Sequence, residues 1–480
     1  MDVLESAFHP EAVAVAGASE DPFSFGYHYV RHLLDYGYPG HIYPVNPRRE
    51  TIQGLKAYPN LTSIPEPVDY VICCLPASKV LDLLAECPSR GVRVVHLLTA
   101  RLSETGRQEA KDLEARILQE ARRSNVRLIG PNCMGIYYPG GGISLGYGFP
   151  KEAGIVGAVF QSGGASDLLV RHGELQGLRF SKVISYGNAL DLDESDFLNY
   201  LAHDDETKVI AAYFEGAKDG RKLLNALTDA VRVKPVIAIK GGRGLAGTRA
   251  AASHTAALAG SNVIWETAFR KAGVIQAQDI RELVNFLVAF SFLPPIRGNR
   301  VGIFGGGGGM SVMSADICEE AGLVLPPLPA EFREKLRTKA PEIWDWVGNP
   351  VDVSIMGGIS RGLEAVIGEF PEMIAESPQF DFIITEMAED NPFLEDIWSV
   401  VVKRQTEAYI NVSRKQLKPM IAVVGGGETS YDESKNMRWR VLAEQRARLI
   451  NAGIPTYSTI AEAARAVRQV IGYWQTREGT

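Results

Sequence analysis

Ala12-Val13-Ala14-Val15-Ala16-Gly17-Ala18-Ser19-Glu20-Asp21-Pro22 is an apolar run broken by a turn of small residues. Gly26 follows, and then a stretch with Val30, Leu33 and Leu34 at helical spacing. A strand that is apolar throughout is buried on both faces. With a glycine turn feeding a helix behind it, it reads as the first unit of a parallel α/β sheet.

Working outward, the same alternation continues to the end of the chain. Strands are predicted at His41 to Val45, Tyr70 to Leu75, Val92 to Val95 and Arg127 to Ile129, and Tyr138-Pro139-Gly140-Gly141-Gly142 reads as the linker that ends the series. A second series is predicted at Gly157 to Phe160, Lys182 to Ile184, Val209 to Phe214, Val236 to Ile239 and Val274 to Ile275, closing at Leu293-Pro294-Pro295. A third runs through Arg300 to Phe304, Phe382 to Ile384, Met420 to Val424 and Pro455 to Tyr457. The expectation is an α/β protein with a Rossmann-like domain over 1–138 and two flavodoxin-like parallel-sheet domains over 139–295 and 296–480. A chain of 480 residues is too long for one core and agrees with about three domains.

Composition narrows the function classes. Hydrophobic content of 46% and charged content of 22% are those of a soluble globular protein. A formal charge of -7 leaves no basic surplus to neutralise phosphates, so no nucleic-acid partner is expected. The start, Met1-Asp2-Val3-Leu4-Glu5, has no basic segment followed by an apolar one, as a secretory signal would. No apolar run reaches the ~18 residues that span a bilayer, so no membrane is expected. The five cysteines (Cys73, Cys74, Cys87, Cys133, Cys318) follow no metal-ligand spacing, and no metal site is expected on this chain. Reduced thiols fit a cytoplasmic protein.

The turns after the strands carry the chemistry. In open parallel sheets ligands bind outside the carboxyl ends of the strands. In the first series those ends are Gly17, Ala18, Ser19 and Asp21; Asn46, Pro47, Arg48 and Arg49; Pro76, Ala77 and Ser78; Thr99-Ala100-Arg101; and Gly130-Pro131-Asn132-Cys133. The first turn offers backbone N–H groups to a phosphate but lacks the G-x-G-x-x-G spacing. Where an NAD site wants a carboxylate, the second strand ends in Arg48-Arg49, which suits a ribose phosphate, the 3′-phosphate of coenzyme A or the 2′-phosphate of NADP. A solvated basic turn is the bland alternative.

In the second series Gln161-Ser162-Gly163-Gly164 is again strand, glycine turn and helix start, a nest for an anion. Glu215 ends the strand Val209 to Phe214. His254 lies in Ala251-Ala252-Ser253-His254-Thr255-Ala256-Ala257, among neighbours too small to bury it. Such an imidazole can take up and pass on a phosphoryl or acyl group, and Glu215 could hold its far nitrogen. The local composition equally allows a capped loop with an idle histidine and an exposed loop acid. In the third series Gly305-Gly306-Gly307-Gly308-Gly309 marks a close approach of backbone to a ligand or to a neighbouring domain.

Taken in order, these stretches resemble the ADP-forming (NDP-forming) acyl-CoA synthetases, relatives of succinyl-CoA synthetase. The likeness runs over essentially the whole chain. It rests on Gly17-Ala18-Ser19, Val45-Asn46-Pro47-Arg48, Gly130-Pro131-Asn132-Cys133-Met134-Gly135, Gln161-Ser162-Gly163-Gly164, Ser185-Tyr186-Gly187-Asn188, Phe214-Glu215-Gly216 and Ser253-His254-Thr255. Asn349-Pro350-Val351-Asp352 and Gly453-Ile454-Pro455 extend it into the third series.

The resemblance implies an α subunit with a CoA-binding first domain, and no stretch of this sequence is left for an ATP-grasp portion. A separate ATP-grasp β subunit carrying Mg2+ and ADP or ATP is therefore implied, in an α2β2 assembly. The implied reaction is acyl-CoA + ADP + phosphate ⇌ carboxylic acid + ATP + CoA. His254 would be the phosphoryl carrier, Glu215 its partner, Ser162, Gly163 and Gly164 the phosphate nest. The coenzyme A site would fall on Gly17 to Asp21, Asn46 to Arg49, Pro76 to Ser78, Thr99 and Asn132.

The sequence departs from the family pattern at Ala256, at Arg101 and at Ala165-Ser166-Asp167. There the family has respectively a glycine, a glycine, and, in the succinyl-type enzymes, an aromatic hydroxyl. The last departure points away from succinate as the acid. An NADP-dependent oxidoreductase, and a CoA-binding regulatory subunit with an idle histidine, remain the alternatives.

Overall fold

The computed structural model describes residues 3–247, 249, 261–339, 341, 344–345, 347–352, 362–387, 394–425 and 437–478. His254 and its neighbours lie outside the described residues. Two compact units divide the chain, residues 1–283 and 284–480.

The first unit holds two sheets. The strands of the first are β1 (Ala12–Ala16), β2 (His41–Val45), β5 (Tyr70–Cys73), β6 (Val94–Leu97) and β7 (Arg127–Ile129); a small hairpin of β3 (Thr51–Ile52) and β4 (Leu55–Lys56) stands apart. Their order is β2-β1-β5-β6-β7, all parallel, so the first two strands in sequence lie side by side and the chain then crosses to the other side of β1. The crevice outside β1 and β5, where the order reverses, is where such a sheet takes its ligand.

The all-apolar reading of β1 has a direct structural cause. Val13 and Val15 face one hydrophobic cluster with Tyr29, Ile72 and Ile129. Ala12, Ala14 and Ala16 face another with Val71, Val95 and Leu128. Burial on both faces leaves no solvent side to alternate with.

The helix Phe25–Tyr36 begins at Ser24, whose hydroxyl accepts from the Tyr27 N–H at 3.2 Å, and ends at Gly37 in the left-handed region. It lies so close to the first turn that a Cβ on Gly26 would stand 1.9 Å from the Gly17 carbonyl oxygen. This glycine pair seats the helix N-terminus over the crevice.

The second sheet comprises β8 (Gly135–Tyr137), β9 (Val156–Phe160), β10 (Phe180–Ser185), β11 (Val209–Phe214), β12 (Val236–Lys240) and β13 (Ile275–Gln276), in the order β13-β12-β11-β9-β10-β8. Its five parallel strands follow the flavodoxin order. The sequence reading passed over β8, which pairs antiparallel with β10 through Gly135 and Ser185, Ile136 and Ile184, and Tyr137 and Val183. The chain has thus joined the second sheet before the Tyr138-to-Gly142 stretch. One apolar cluster joins both sheets of this unit, with Ile72 and Ile129 from the first and Val159, Ile184 and Phe214 from the second.

The second unit carries β14 (Val301–Gly305), β15 (Phe382–Met387), β16 (Met420–Val424) and β17 (Thr456–Tyr457), parallel and in that order. Parallel bridges from Arg300 to Val324 and from Phe304 to Val351 stand on the outer side of β14, where a flavodoxin-type sheet has its second strand. A core of Phe304, Phe370, Ile383, Trp398, Tyr409 and Val424 fills one side of the sheet. Among the described residues no helix is long and apolar enough to cross a membrane, and all five cysteines are unpaired.

Candidate functional site

The strand ends of the first sheet are laced together by the residues expected to line a ligand crevice. The Gly17 N–H donates to the Val45 carbonyl at 3.1 Å, and a Cβ there would come within 3.1 Å of the Cys74 backbone at a φ of +86°. Asn46 Nδ2 donates to the Ala18 carbonyl at 2.8 Å while its Oδ1 accepts from the Arg48 N–H at 2.8 Å. The Asp21 N–H donates to Ser19 Oγ at 3.0 Å. Thr99 Oγ1 donates to the Leu75 carbonyl at 2.7 Å, and the Asn132 N–H donates to the Thr99 carbonyl at 2.9 Å.

Asn46, Ser19 and Thr99 therefore spend their polar atoms on the shape of the turns. Pro76 and Ser78 are exposed around the half-buried Ala77, and Arg48 and Arg49 stand exposed at the open end of β2. Among the described residues, neither arginine side chain makes a hydrogen bond or an ion pair. Arg101 occupies a φ of +70°, the region that favours glycine, and its N–H donates to the Glu104 carboxylate. That bond holds a non-glycine residue where the family pattern has glycine.

The turn after β7 joins the two sheets. A Cβ on Gly187 would stand 2.3 Å from the Pro131 carbonyl oxygen. The Asn188 N–H donates to that same carbonyl at 3.0 Å, and the Met134 N–H donates to Ser185 Oγ at 3.1 Å. Met134 continues to the helix Gly163–Leu175, where a Cβ on Gly163 would meet its Cγ at 2.5 Å. The expected coenzyme A turns and the expected phosphate nest are thus linked through residues 130–135.

At the nest itself Ser162 caps the helix, its hydroxyl accepting from the Ala165 N–H at 3.3 Å. Among the described residues the N–H groups of Gly163 and Gly164 find no acceptor, and a Cβ on Gly164 would meet open space. Two unsatisfied donors at the positive end of a helix make a site for an oxyanion.

Glu215 stands beside this nest. Gln161, the residue before Ser162, accepts at Oε1 from the Glu215 N–H at 2.7 Å and from the Gly216 N–H at 3.2 Å. The Glu215 side chain is buried; the Tyr213 hydroxyl donates to Oε1 at 3.4 Å, and Oε2 has no hydrogen-bond partner among the described residues. Burial and the nearby Glu215 carboxylate push the Tyr213 phenol up to about 12, so it stays a donor.

Lys240, at the end of β12, donates to the Glu215 main-chain carbonyl at 2.9 Å. Burial pulls its ammonium below the ordinary lysine value, and Glu215 offsets part of that. A cavity of about 400 Å³ opens at this strand edge, lined by Tyr213, Lys240, Gly241, Arg243, Gln278 and Asp279. Lys240 carries a signal beyond those in the motifs above: it is a polar residue closing the otherwise apolar strand β12.

The glycine run of the second unit approaches its own sheet. Gly305, at φ +116°, would place a Cβ 2.0 Å from the Glu386 carbonyl oxygen. The close approach read from Gly305 to Gly309 is thus to a backbone carbonyl of β15. Glu386 is buried, accepts from Ser314 Oγ at 3.0 Å, and is pushed up to about 7 by burial.

Comparison with known proteins bears on these sites. A coenzyme A binding domain family matches residues 11–139, and a succinyl-CoA ligase-like flavodoxin domain family matches residues 153–290. The chain is 40% identical to the α subunit of acetate–CoA ligase (ADP-forming) II of Pyrococcus furiosus, over 80% of this chain and 82% of that protein. It is 32% identical to the α subunit of isoenzyme I of the same organism, over 97% and 96%. A solved structure of the dinucleotide-forming acetyl-coenzyme A synthetase 1 of Candidatus Korarchaeum cryptofilum, in complex with phosphate and ADP, superposes with a TM-score of 0.83. It is 28% identical and covers 100% of both chains.

Proposed function

The chain belongs to the family of ADP-forming acid–CoA ligases, as an α subunit, and from that premise we propose a reaction course carried by His254, Glu215 and the turn Ser162-Gly163-Gly164. The observation that supports it best is the pairing of two unsatisfied groups. Among the described residues two helix N–H donors lack an acceptor at Gly163 and Gly164, and beside them a buried carboxylate oxygen of Glu215 lacks a donor. An acyl phosphate and a protonated imidazole nitrogen would supply the missing partners.

In this course coenzyme A lies across the carboxyl ends of the first sheet. Its phosphates sit over the Gly17-to-Asp21 turn and near Arg48 and Arg49, and its pantetheine arm runs past Pro76 to Ser78, Thr99 and Asn132 toward Met134. A phosphate oxygen attacks the thioester carbonyl; the carbon–sulfur bond breaks, coenzyme A leaves as the thiol, and an acyl phosphate forms on the nest. One ring nitrogen of His254 then attacks phosphorus, the bond from phosphorus to the acyl oxygen breaks, and the carboxylic acid leaves. Glu215 holds the proton on the other ring nitrogen and steadies the developing imidazolium. Positioning and charge stabilisation supply the catalysis.

The phosphorylated segment then delivers its phosphoryl group to ADP on an ATP-grasp β subunit, in an α2β2 assembly in the cytoplasm. The subunit naming of the Pyrococcus relatives supports a partner chain. Mg2+ on that partner would neutralise the phosphate charge of the nucleotide. Acetyl-CoA or another small acyl-CoA would serve as acyl donor and the free acid would be the product, in a chain of three domains with β8 already part of the second sheet.

Incubating the chain with acetyl-CoA and radiolabelled phosphate tests the course. An acid-labile, base-stable label on the wild type, abolished in His254→Ala, is expected. Labelling of His254→Ala at the wild-type rate would end this reading.

A further inference from the structure

Lys240 closes β12 with a long polar side chain at the end of the run Val236-Ile237-Ala238-Ile239, and it is 2% exposed. A buried charge is weak evidence for a stabilising role, because taking it out of water costs much of what its contacts return. Stability alone therefore does not account for a lysine there, and its contacts point elsewhere. The ammonium donates to the Glu215 carbonyl at 2.9 Å and to the Gly241 carbonyl, and it lies 5.2 Å from the centroid of the Trp265 ring.

These contacts fall at three places in the chain. Glu215 follows β11, Gly241 follows β12, and Trp265 sits in the first turn of the helix Asn262–Ala272. Gly241 and Asn262 bracket residues 242–261, which include His254. The root is tightly packed: a Cβ on Gly241 would stand 2.5 Å from the Tyr213 hydroxyl. One side chain thus ties the backbone of the carboxylate residue to both roots of the histidine-bearing segment.

We propose that Lys240 is a positioning residue for phosphoryl transfer, setting the backbone of Glu215 and both roots of the segment so that carboxylate and imidazole meet in register. This rests on the reading of His254 as the phosphoryl carrier. Lys240 touches neither substrate nor phosphorus. It leaves the first step, attack of phosphate on the thioester, untouched, and acts on the second, transfer to the imidazole.

The two steps separate experimentally on the full chain. Arsenate in place of phosphate attacks acetyl-CoA, and the acyl arsenate hydrolyses, so release of free coenzyme A reports the first step without the histidine. The rate of acid-labile labelling from acetyl-CoA and radiolabelled phosphate reports both. Lys240→Met is expected to keep arsenolysis within about twofold and to slow labelling by about ten- to a hundred-fold, the worth of hydrogen bonds from a charged donor. Lys240→Arg, which keeps charge and donors, is expected to recover most of the labelling. In a double variant with Glu215→Gln the losses are expected not to add, since Lys240 acts through that residue.

Labelling of Lys240→Met at the wild-type rate, or an equal fall in arsenolysis and labelling in both Lys240 variants, overturns the positioning role and leaves the carrier reading standing. A wild-type chain that performs arsenolysis yet takes no label overturns the carrier reading, and the role of Lys240 with it.

Discussion

Arg48 and Arg49 illustrate what a single residue type conveys. Exposed, and without a side-chain partner among the described residues, they are available for an anion at the end of β2. If they hold the 3′-phosphate of coenzyme A, the double variant Arg48→Ala, Arg49→Ala should bind coenzyme A about ten- to a hundred-fold more weakly by calorimetry. It should bind 3′-dephospho-coenzyme A as the wild type does; an equal loss for both ligands would place the arginines elsewhere on the ligand. Asn46 and Thr99 were legible as strand-end residues because polar side chains there are few. That their side chains hold the turns was not legible, since it depends on which carbonyls the fold brings near. Glu386 belongs to the same class: nothing in Phe382-Ile383-Ile384-Thr385-Glu386 states that its carboxyl is buried under a glycine turn. Its pKa rises from an ordinary 4.5 to about 7. The folded state therefore prefers the protonated form; the stability this gives is fully present below pH 4.5 and is lost as pH rises through about 7. The loss amounts to about 3 kcal/mol. Glu386→Gln should be more stable than the wild type at pH 8 and show a flatter profile in thermal melts between pH 4.5 and 7.5; unchanged pH dependence would assign the titration to another group.

At the scale of elements, apolar runs of four or more residues were found because burial on both faces removes the polar positions that blur a strand. The three residues of β8 and the two-residue strands of the β3–β4 hairpin were not, because these antiparallel segments stand outside the strand, turn and helix alternation that marks the equally short β7, β13 and β17. The start of the helix Gly163–Leu175 was legible from its glycine turn, yet its two glycines differ in a way only the packing reveals. A Cβ at Gly163 collides with Met134, whereas one at Gly164 enters open space. In a helical backbone alanine is favoured over glycine by about 0.8–1 kcal/mol. Gly164→Ala should therefore raise the melting temperature slightly while weakening phosphate in the labelling reaction, because the methyl group takes the space of the oxyanion. Gly163→Ala should lower both stability and labelling. If Gly164→Ala left the phosphate dependence unchanged, the nest would not be the phosphate site.

The division into two compact units sets how the whole molecule should melt. Residues 1–283 contain both sheets on which the proposed coenzyme A and phosphate sites stand, with clusters that run from Val13 to Phe214. Residues 284–480 have their own sheet and a separate core in which Trp398 is fully buried. Units with separate cores need not unfold together, and a ligand stabilises only the unit that binds it, by about 2.7 kcal/mol at a hundredfold excess over Kd. Scanning calorimetry should therefore resolve two transitions, with coenzyme A raising only one of them. Trp398→Ala removes a large core side chain at a cost of about 3–5 kcal/mol and should lower the other transition while leaving the coenzyme A shift intact. One transition that moves as a whole with coenzyme A and with Trp398→Ala would mean that the two units unfold as one, and the division would then have no thermodynamic meaning.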